Sequence, residues 1–209
     1  AANIAQANDR IGQVSGYGHE PNYQVLLVAP HQLRDRMIAL IEKEATFGGD
    51  GRITMKMNSI SDPAVIEALY AASGAGVQID IVVRGICCLR AGVTGMSENI
   101  RVRSILGRYL EHSRIYRFEH GLEDESPLHL IGSADLMGRN LDGRVEVLVP
   151  LTHPKHRAWL DKVLSFLTAE DVVHFKLGSD NKWVEHNSDA EFGDAQQRLH
   201  EWVVATQVR

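Results

Sequence analysis

The stretch that decides the fold reads RYLEHSRIYRF at positions 108–118 and, after a polar break, LHLIGSADLMGRNLDGRVEVLV at positions 128–149. The β-branched and aromatic residues in both pieces predict strands. Successive side chains along a strand point to opposite faces of the sheet. We therefore expect His112, Arg114 and Tyr116 to share one face, where a proton carrier would lie beside a fixed positive charge. Such a pair suits chemistry on a phosphate group.

The second piece places Gly132 and Ser133 at the predicted end of its first strand. A glycine would let a phosphate approach the backbone, and the serine hydroxyl would add a hydrogen-bond donor. Without such neighbours, an H-x-R pattern on a strand is more simply a surface pair. Asp135 and Asn140 follow and could orient catalytic side chains, whereas Arg144 and Glu146 are expected to pair with each other.

The rest of the chain alternates between strand and helix patterns. Strands are predicted at 23–29, 53–57, 77–83, 101–105, 113–118, 128–132, 146–149, 172–177 and 182–185. Helices are predicted from 33 to a stop at 47–49, from the Asp62-Pro63 cap to 73, over 156–167 and from 189 onward. The strand–helix–strand order in the first half predicts an α/β layer with parallel neighbouring strands.

Composition limits the classes of function. The chain has 209 residues and a net charge of −5, which argues against general binding of nucleic acid or anionic membrane. No apolar run approaches the ~20 residues that span a bilayer, and no N-terminal signal pattern is present. The adjacent Cys87 and Cys88 are poorly placed for a mutual disulfide, so a reducing cytosol is the simplest setting.

Positive charge is concentrated in the window 84–117. This window has seven arginines, no lysine and two acidic residues, so its net charge is +5. The rest of the chain has fifteen basic and twenty-five acidic residues, so its net charge is −10. Arginine favours bidentate recognition of phosphate or carboxylate. At least half of the seven, including Arg90 and Arg108, are expected to be solvated or in ordinary ion pairs. Arg84 lies at the carboxyl end of the strand 77–83, and open α/β sheets bind ligands beyond such strand ends. Arg84 is therefore expected either to contact a phosphate or to form a salt bridge with a nearby acid.

Two other motifs fit structural roles better than chemical ones. The glycines of Ser73-Gly74-Ala75-Gly76 follow a helix and precede a strand, the reverse of a phosphate-binding loop, and no glycine in the chain is followed by lysine. His153 and His156 lack the third protein ligand that a catalytic zinc needs, and a solvated helix start is expected. No metal site is predicted in this chain. Lys56 and Asn58 end a central strand and could line the same cleft as Arg84.

The run from 23 to about 176 is similar to the C-terminal part of polyphosphate kinase, the phosphohistidine enzyme with phospholipase D-like catalytic domains. The matching segments, in the family's order, are VLLVAP, LYAASGAGV, VRGICCLR, RYLEHSRIYRF and GSADLMGRNLDGRVEVL. They cover about three quarters of the chain. Arg114 stands where the H-x-K…G-S signature of the phospholipase D superfamily usually has lysine, and Gly143 stands where Arg or Lys is more usual.

The resemblance implies an α/β fold, with a phospholipase D-like mixed sheet flanked by helices. It divides the chain into a linker at 1–22, the phospholipase D-like domain at 23–177 and a C-terminal extension at 178–209. The family's enzymes are several times longer, and this chain begins at Ala1 without a Met, so an excised domain is expected.

The same resemblance implies a function. The family's enzymes reversibly transfer the terminal phosphate of ATP to polyphosphate through a phosphohistidine, which would lie outside this chain. His112 and Arg114 match the catalytic pair of this half, and Arg84, His112 and Ser133 match phosphate-binding positions. Mg²⁺, with ligands outside this chain, would be the cofactor. ATP, ADP, polyphosphate and the remaining domains would be the partners, in a cytoplasmic homo-oligomer.

Two alternatives stay open at this point. A single-half phosphodiesterase could dimerise to bring two copies of His112 together, although H-x-R rather than H-x-K argues mildly against it. A non-enzymatic polyphosphate- or nucleotide-binding module would bind without turnover.

Overall fold

The computed structural model describes Gln6, residues 23–186 and residues 193–207. The strands are β1 (Leu27–Ala29), β2 (Arg52–Lys56), β3 (Gln78–Val82), β4 (Ile100–Ser104), β5 (Ile115–Phe118), β6 (Leu128–Gly132), β7 (Glu146–Pro150), β8 (His174–Leu177) and β9 (Trp183–His186). The helices are α1 (Leu33–Ala45), α2 (Pro63–Gly74), α3 (Gly138–Asp142), α4 (Pro154–Leu167) and α5 (Ala195–Gln207). The linker predicted at 1–22, apart from Gln6, and the predicted helix start at 189 lie outside the described residues.

The strands form one nine-stranded sheet in the order β1-β7-β6-β5-β2-β3-β4-β8-β9. The pairs β2–β3 and β3–β4 are parallel, and every other adjacent pair is antiparallel. The predicted mixed sheet is therefore confirmed. The predicted parallel pairing of neighbouring strands is found only among β2, β3 and β4.

The prediction is wrong for β1. This strand pairs antiparallel with β7 at one edge of the sheet, with Leu27 opposite Leu148, and it does not lie beside β2. All three residues of β1 are buried, and Val28 packs in a small cluster with Val147 and Val149. Its partner is set by this long-range packing, which local pattern does not reveal.

Helix α2 begins and ends where local chemistry predicts. Asp62 caps α2 by accepting a hydrogen bond from the Val65 amide at 3.1 Å, and Pro63 occupies the first turn, where no donor is lost. The helix ends at Gly74, and Gly76 then adopts a φ of +105°, which favours glycine. The glycines at 74–76 therefore end a helix, as expected.

Helices cover both faces of the sheet. The larger core cluster joins α1 and α2 to one face and includes Met55 and Tyr116. A second cluster joins α4 and α5 to the other face and includes Ile115 and Leu160. The alternation of Ile115 and Tyr116 between the two clusters is the strand pattern expected for β5. No helix in the described part of the chain is long and apolar enough to cross a membrane.

The connection from β4 to β5 crosses one end of the sheet. β4 lies beyond β3, whereas β5 lies on the far side of β2. Since β5 is antiparallel to β2, with Ile115 opposite Lys56, it begins at the edge where β2, β3 and β4 end. Residues 105–114 must therefore cross the carboxyl ends of β2 and β3. We call this segment the crossing loop.

Candidate functional site

Asn58 and Arg84 lie where β2 and β3 end. The Arg84 Nε donates a hydrogen bond of 2.6 Å to the Asn58 side-chain oxygen, and the Gly85 amide donates to the Asn58 backbone carbonyl at 2.8 Å. Arg84 is half-buried, while Asn58 is 8 % exposed. The salt bridge considered as an alternative for Arg84 is not formed with any described residue. The guanidinium is therefore oriented by a neutral amide and not by a carboxylate among the described residues.

Asp135 connects this pair to the crossing loop. Its carboxylate accepts hydrogen bonds from the Asn58 backbone amide at 2.8 Å and from the Asn58 side chain at 3.1 Å. It also accepts two from Arg114, at 3.2 and 3.0 Å. Burial alone raises the pKa of Asp135, but the hydrogen bonds from Arg114 and Asn58 outweigh burial and hold the pKa below its ordinary value. Asp135 is thus an ionised anchor that orients Arg114.

Arg114 also contacts His112. Its Nη1 lies 2.9 Å from the His112 Nδ1 and donates to the His112 carbonyl at 2.7 Å. Nε2 of the same ring lies 3.4 Å from this Nη1. A guanidinium can only donate, so the shorter contact favours the tautomer in which Nδ1 accepts and Nε2 carries the proton. The imidazole is exposed to solvent, as a group that meets a substrate must be.

The strand predicted over 113–118 begins only at Ile115. His112 and Arg114 belong to the crossing loop, and regular pairing with β6 begins at Ile115, although the Gly132 amide still donates to the Arg114 carbonyl at 3.4 Å. The expected face shared by three residues is therefore wrong for Tyr116, which is fully buried and donates its hydroxyl hydrogen to the Ala134 carbonyl at 2.7 Å. Burial raises the pKa of Tyr116 well above its ordinary value.

Two surface hollows adjoin Arg84. One, of about 250 Å³, is bounded by the crossing loop, including Tyr109, Leu110 and Glu111. The other, of about 220 Å³, extends toward Phe175 and Trp183 on β8 and β9. Arg84 and Leu106 border both hollows, and we call the two hollows together the groove.

Lys56 supports the loop from below. Its side chain is 1 % exposed, and Nζ donates to the Ser113 carbonyl at 2.9 Å and lies 3.5 Å from a Glu111 carboxylate oxygen. Burial lowers the pKa of Lys56, and Glu111 partly opposes that effect. Lys56 therefore lies beneath the groove as an anchor, and does not line it.

Ser133 and Gly132 lie beside β7. The Ser133 hydroxyl is exposed and accepts a hydrogen bond from the Val147 amide at 3.3 Å. A Cβ on Gly132 would overlap the Val147 carbonyl oxygen. The space at Gly132 is therefore needed for the close approach of β7, and its expected role in admitting a phosphate stays a prediction.

Most of the arginine cluster is structural. Four of the seven form ion pairs: Arg101 with Asp80, Arg103 with Glu170, Arg114 with Asp135 and Arg117 with Asp161. This agrees with the expectation that at least half would be solvated or ordinarily paired. Arg90 donates to the Ser179 carbonyl, and Arg108 lies over the Tyr109 ring.

Two further expectations have opposite outcomes. The predicted pair of Arg144 with Glu146 is wrong, because Glu146 is buried and accepts a hydrogen bond from the Asn140 side chain at 2.7 Å. His153 does begin a helix, since its Nδ1 accepts from the Lys155 amide at the start of α4.

The described residues do not fit a resident metal ion. No group of three or more His, Cys, Asp or Glu side chains among them is placed to hold one. Asp135 already accepts four hydrogen bonds, and Glu111, which borders one hollow, lies 3.5 Å from the Lys56 Nζ.

Comparison with known proteins supports the assignment that the site suggests. The family described as polyphosphate kinase C-terminal domain 2 matches residues 26–197. A polyphosphate kinase of Streptomyces coelicolor is 46 % identical over 203 residues, which are 96 % of this chain and 27 % of that protein. The chain thus spans about a quarter of the length of this curated relative.

Solved structures agree. The crystal structure of a polyphosphate kinase from Porphyromonas gingivalis matches with a TM-score of 0.86 and 34 % identity, over 96 % of this chain and 31 % of that one. A phospholipase D family member from Salmonella typhimurium matches with a TM-score of 0.51 and 18 % identity, over 78 % of this chain and 97 % of that one. The second likeness shows the fold alone.

Proposed function

The chain belongs to the polyphosphate kinase family, and we propose that it supplies the C-terminal part of a site that reversibly transfers the terminal phosphate of ATP to inorganic polyphosphate. In this proposal the phosphate passes through a phosphohistidine that lies outside this chain. The observation that carries the proposal is the connected series of side chains Arg84, Asn58, Asp135, Arg114 and His112 at the carboxyl end of the parallel strands. Phosphoryl transfer depends chiefly on positioning and on stabilising charge, which such a series provides.

Each residue has a separate role in the proposal. Arg84 binds the phosphates of ATP, because its charge is unpaired by the described residues and it borders both hollows. His112 holds a phosphate and moves a proton at Nε2. Arg114 orients the imidazole and adds positive charge, although Asp135 neutralises part of that charge. The exposed Ser133 hydroxyl donates a hydrogen bond to a phosphate oxygen.

The proposal extends to partners that the chain does not contain. ATP, ADP, polyphosphate and the remaining domains of a longer, cytoplasmic, homo-oligomeric enzyme are its partners. Mg²⁺ would reduce the negative charge of the phosphates, with protein ligands from outside this chain.

The test is made in the full-length enzyme. His112→Ala should lower the rate of polyphosphate synthesis by about 10²–10⁴-fold if the imidazole moves a proton. His112→Gln keeps hydrogen bonding without proton transfer and should be similarly impaired. His200→Gln, an exposed imidazole on α5, is the matched control. If His112→Gln keeps nearly full activity, the acid–base role is wrong.

A second experiment addresses the chain alone. Incubated with labelled ATP and Mg²⁺, the 209-residue chain should form neither polymer nor phosphohistidine, since the proposal places the phosphate-accepting histidine elsewhere. Stable label on His112 would make His112 the nucleophile and would overturn this division of roles.

A further inference from the structure

Gln196 on α5 is bound to the middle of the crossing loop. Its side chain is 4 % exposed. Its Oε1 accepts a hydrogen bond from the Tyr109 amide at 2.7 Å, and its Nε2 donates to the Tyr109 carbonyl at 2.7 Å. Nε2 also lies 3.1 Å from a Glu111 carboxylate oxygen. One amide side chain thus satisfies both backbone groups of one loop residue, as a neighbouring strand would.

The loop needs such an attachment. Leu106, Tyr109 and Leu110 are 60, 52 and 72 % exposed, so burial of apolar side chains does little to fix this part of the chain. A Cβ on Gly107 would overlap the Gln196 amide, so this glycine leaves room for the contact.

The helix that carries Gln196 is itself fixed. Ala195 is fully buried in the core cluster shared with α4. Arg198 pairs with Asp171 at 2.7 Å. The amide is therefore presented to the loop from a rigid element, which is what a positioning contact requires.

We propose that Gln196 is a positioning residue for phosphoryl transfer, which fixes residues 109–111 so that His112 reaches the phosphate beside Arg84. The inference rests on the proposed function, because it assumes that His112 takes part in the reaction. Arg84 is held separately, by Asn58. Loss of the Gln196 contact should therefore displace the imidazole and leave the binding of ATP phosphates nearly intact.

The kinetic test uses the full-length enzyme with Gln196→Met, which keeps the size of the side chain but removes its hydrogen bonds. Displacement of a catalytic group by about 1 Å can cost about 10²-fold. We expect kcat to fall by between about 10-fold and about 10²-fold, with KM for ATP changed by less than about twofold. Gln197→Met, at the exposed neighbouring position, is the matched control and should leave both constants unchanged.

A second variant approaches the contact from the loop. Gly107→Ala should displace the Gln196 amide and reproduce the kcat loss while Gln196 itself is unaltered. Unchanged kcat in both variants would overturn the inference.

Hydrogen exchange supplies a readout that is independent of activity. Gln196→Met should speed exchange at the Tyr109 amide and leave the amides of β2 protected, which also shows that the variant is folded. If exchange speeds up, kcat is unchanged and His112→Gln is inactive, Gln196 is merely structural and the proposed function stands. If His112→Gln is fully active, the acid–base role of His112 fails, and the positioning role of Gln196 that rests on it fails as well.

Discussion

Arg114 and Asp135 form a two-point ion pair, with guanidinium nitrogens 3.2 and 3.0 Å from the two carboxylate oxygens. The pair joins the crossing loop to the segment that follows β6. It uses two of the three guanidinium nitrogens, and the third faces His112. The sequence predicted that Arg114 adds a fixed positive charge beside His112, and in the structure that charge is partly neutralised by the buried acid Asp135.

Removal of this pair should destabilise the protein in a pH-dependent way. Asp135→Asn leaves a largely buried guanidinium without its partner, and the free energy of unfolding at pH 7 should fall by about 3 kcal/mol. Since the folded-state pKa of Asp135 is depressed, the stabilisation is complete above the ordinary value of 3.8 and is lost as pH falls through the lower folded value. Urea unfolding at pH 7, 5 and 3 should show a difference from wild type that shrinks only at the lowest pH. The exposed Asp35→Asn is the control; a pH-independent difference would contradict an ionised Asp135.

Binding of polyphosphate should depend on particular arginines. Arg84→Ala and Arg114→Ala should each weaken binding by at least about 10-fold, because each removes charge-assisted hydrogen bonds. Arg157→Ala, on α4, should have little effect, since that side chain donates to the Pro127 carbonyl and borders a separate hollow. Calorimetry at two salt concentrations would measure this, and binding should weaken as salt rises. Equal losses in all three variants would show that only bulk charge matters.

Glu44 should be important for stability although it lies outside the site. Its fully buried carboxylate accepts hydrogen bonds from the Arg52 amide, the His120 amide and the His120 ring, each at 2.9 Å. Glu44→Ala leaves these donors without a partner and should lower the free energy of unfolding by at least about 2 kcal/mol. Glu42→Ala, exposed on the same helix, should change it by less than about 0.5 kcal/mol. Denaturant titration of both variants is the measurement.

The two cysteines should react with alkylating agents at different rates. Burial raises the pKa of Cys87 to about 11, so about one such thiol in a thousand is ionised at pH 8. Cys88 is exposed. Iodoacetamide at pH 8 should label one thiol quickly and the other slowly, and Cys88→Ser should leave the slow phase alone. A fast phase in that variant would show that Cys87 is not protected.

Local chemistry was a good guide to the elements of this fold. The Asp62 cap, the end of α2 at Gly74 and the parallel pair β2–β3 all follow from short patterns in the chain. The position of β1 in the sheet could not be predicted from short patterns, because Val28 packs against Val147, which lies about 120 positions later in the chain. The start of β5 was predicted two residues too early, because regular pairing with β2 and β6 begins only at Ile115 and the local pattern does not show where that pairing stops.

The candidate site was predicted in part. The neighbouring positions of His112 and Arg114 follow from the H-x-R spacing, and Arg84 follows from its place after β3. The importance of Asn58 was underrated, because its contacts to Arg84 and Asp135 join positions 26 and 77 apart. Gln196 carries no local signal at all, since it binds a residue 87 positions earlier.

The crossing loop has a consequence for the order of folding. The loop is held by Lys56, which precedes it by more than fifty positions, and by Gln196, which follows it by more than eighty. Helices such as α2 instead depend on neighbours a few residues away. Contacts between distant positions form late, because a large loop must close before they contribute. We therefore expect the groove to form only when folding is nearly complete. In refolding experiments, phosphate binding should return after helical circular dichroism, so that ligand binding reports completion of the fold.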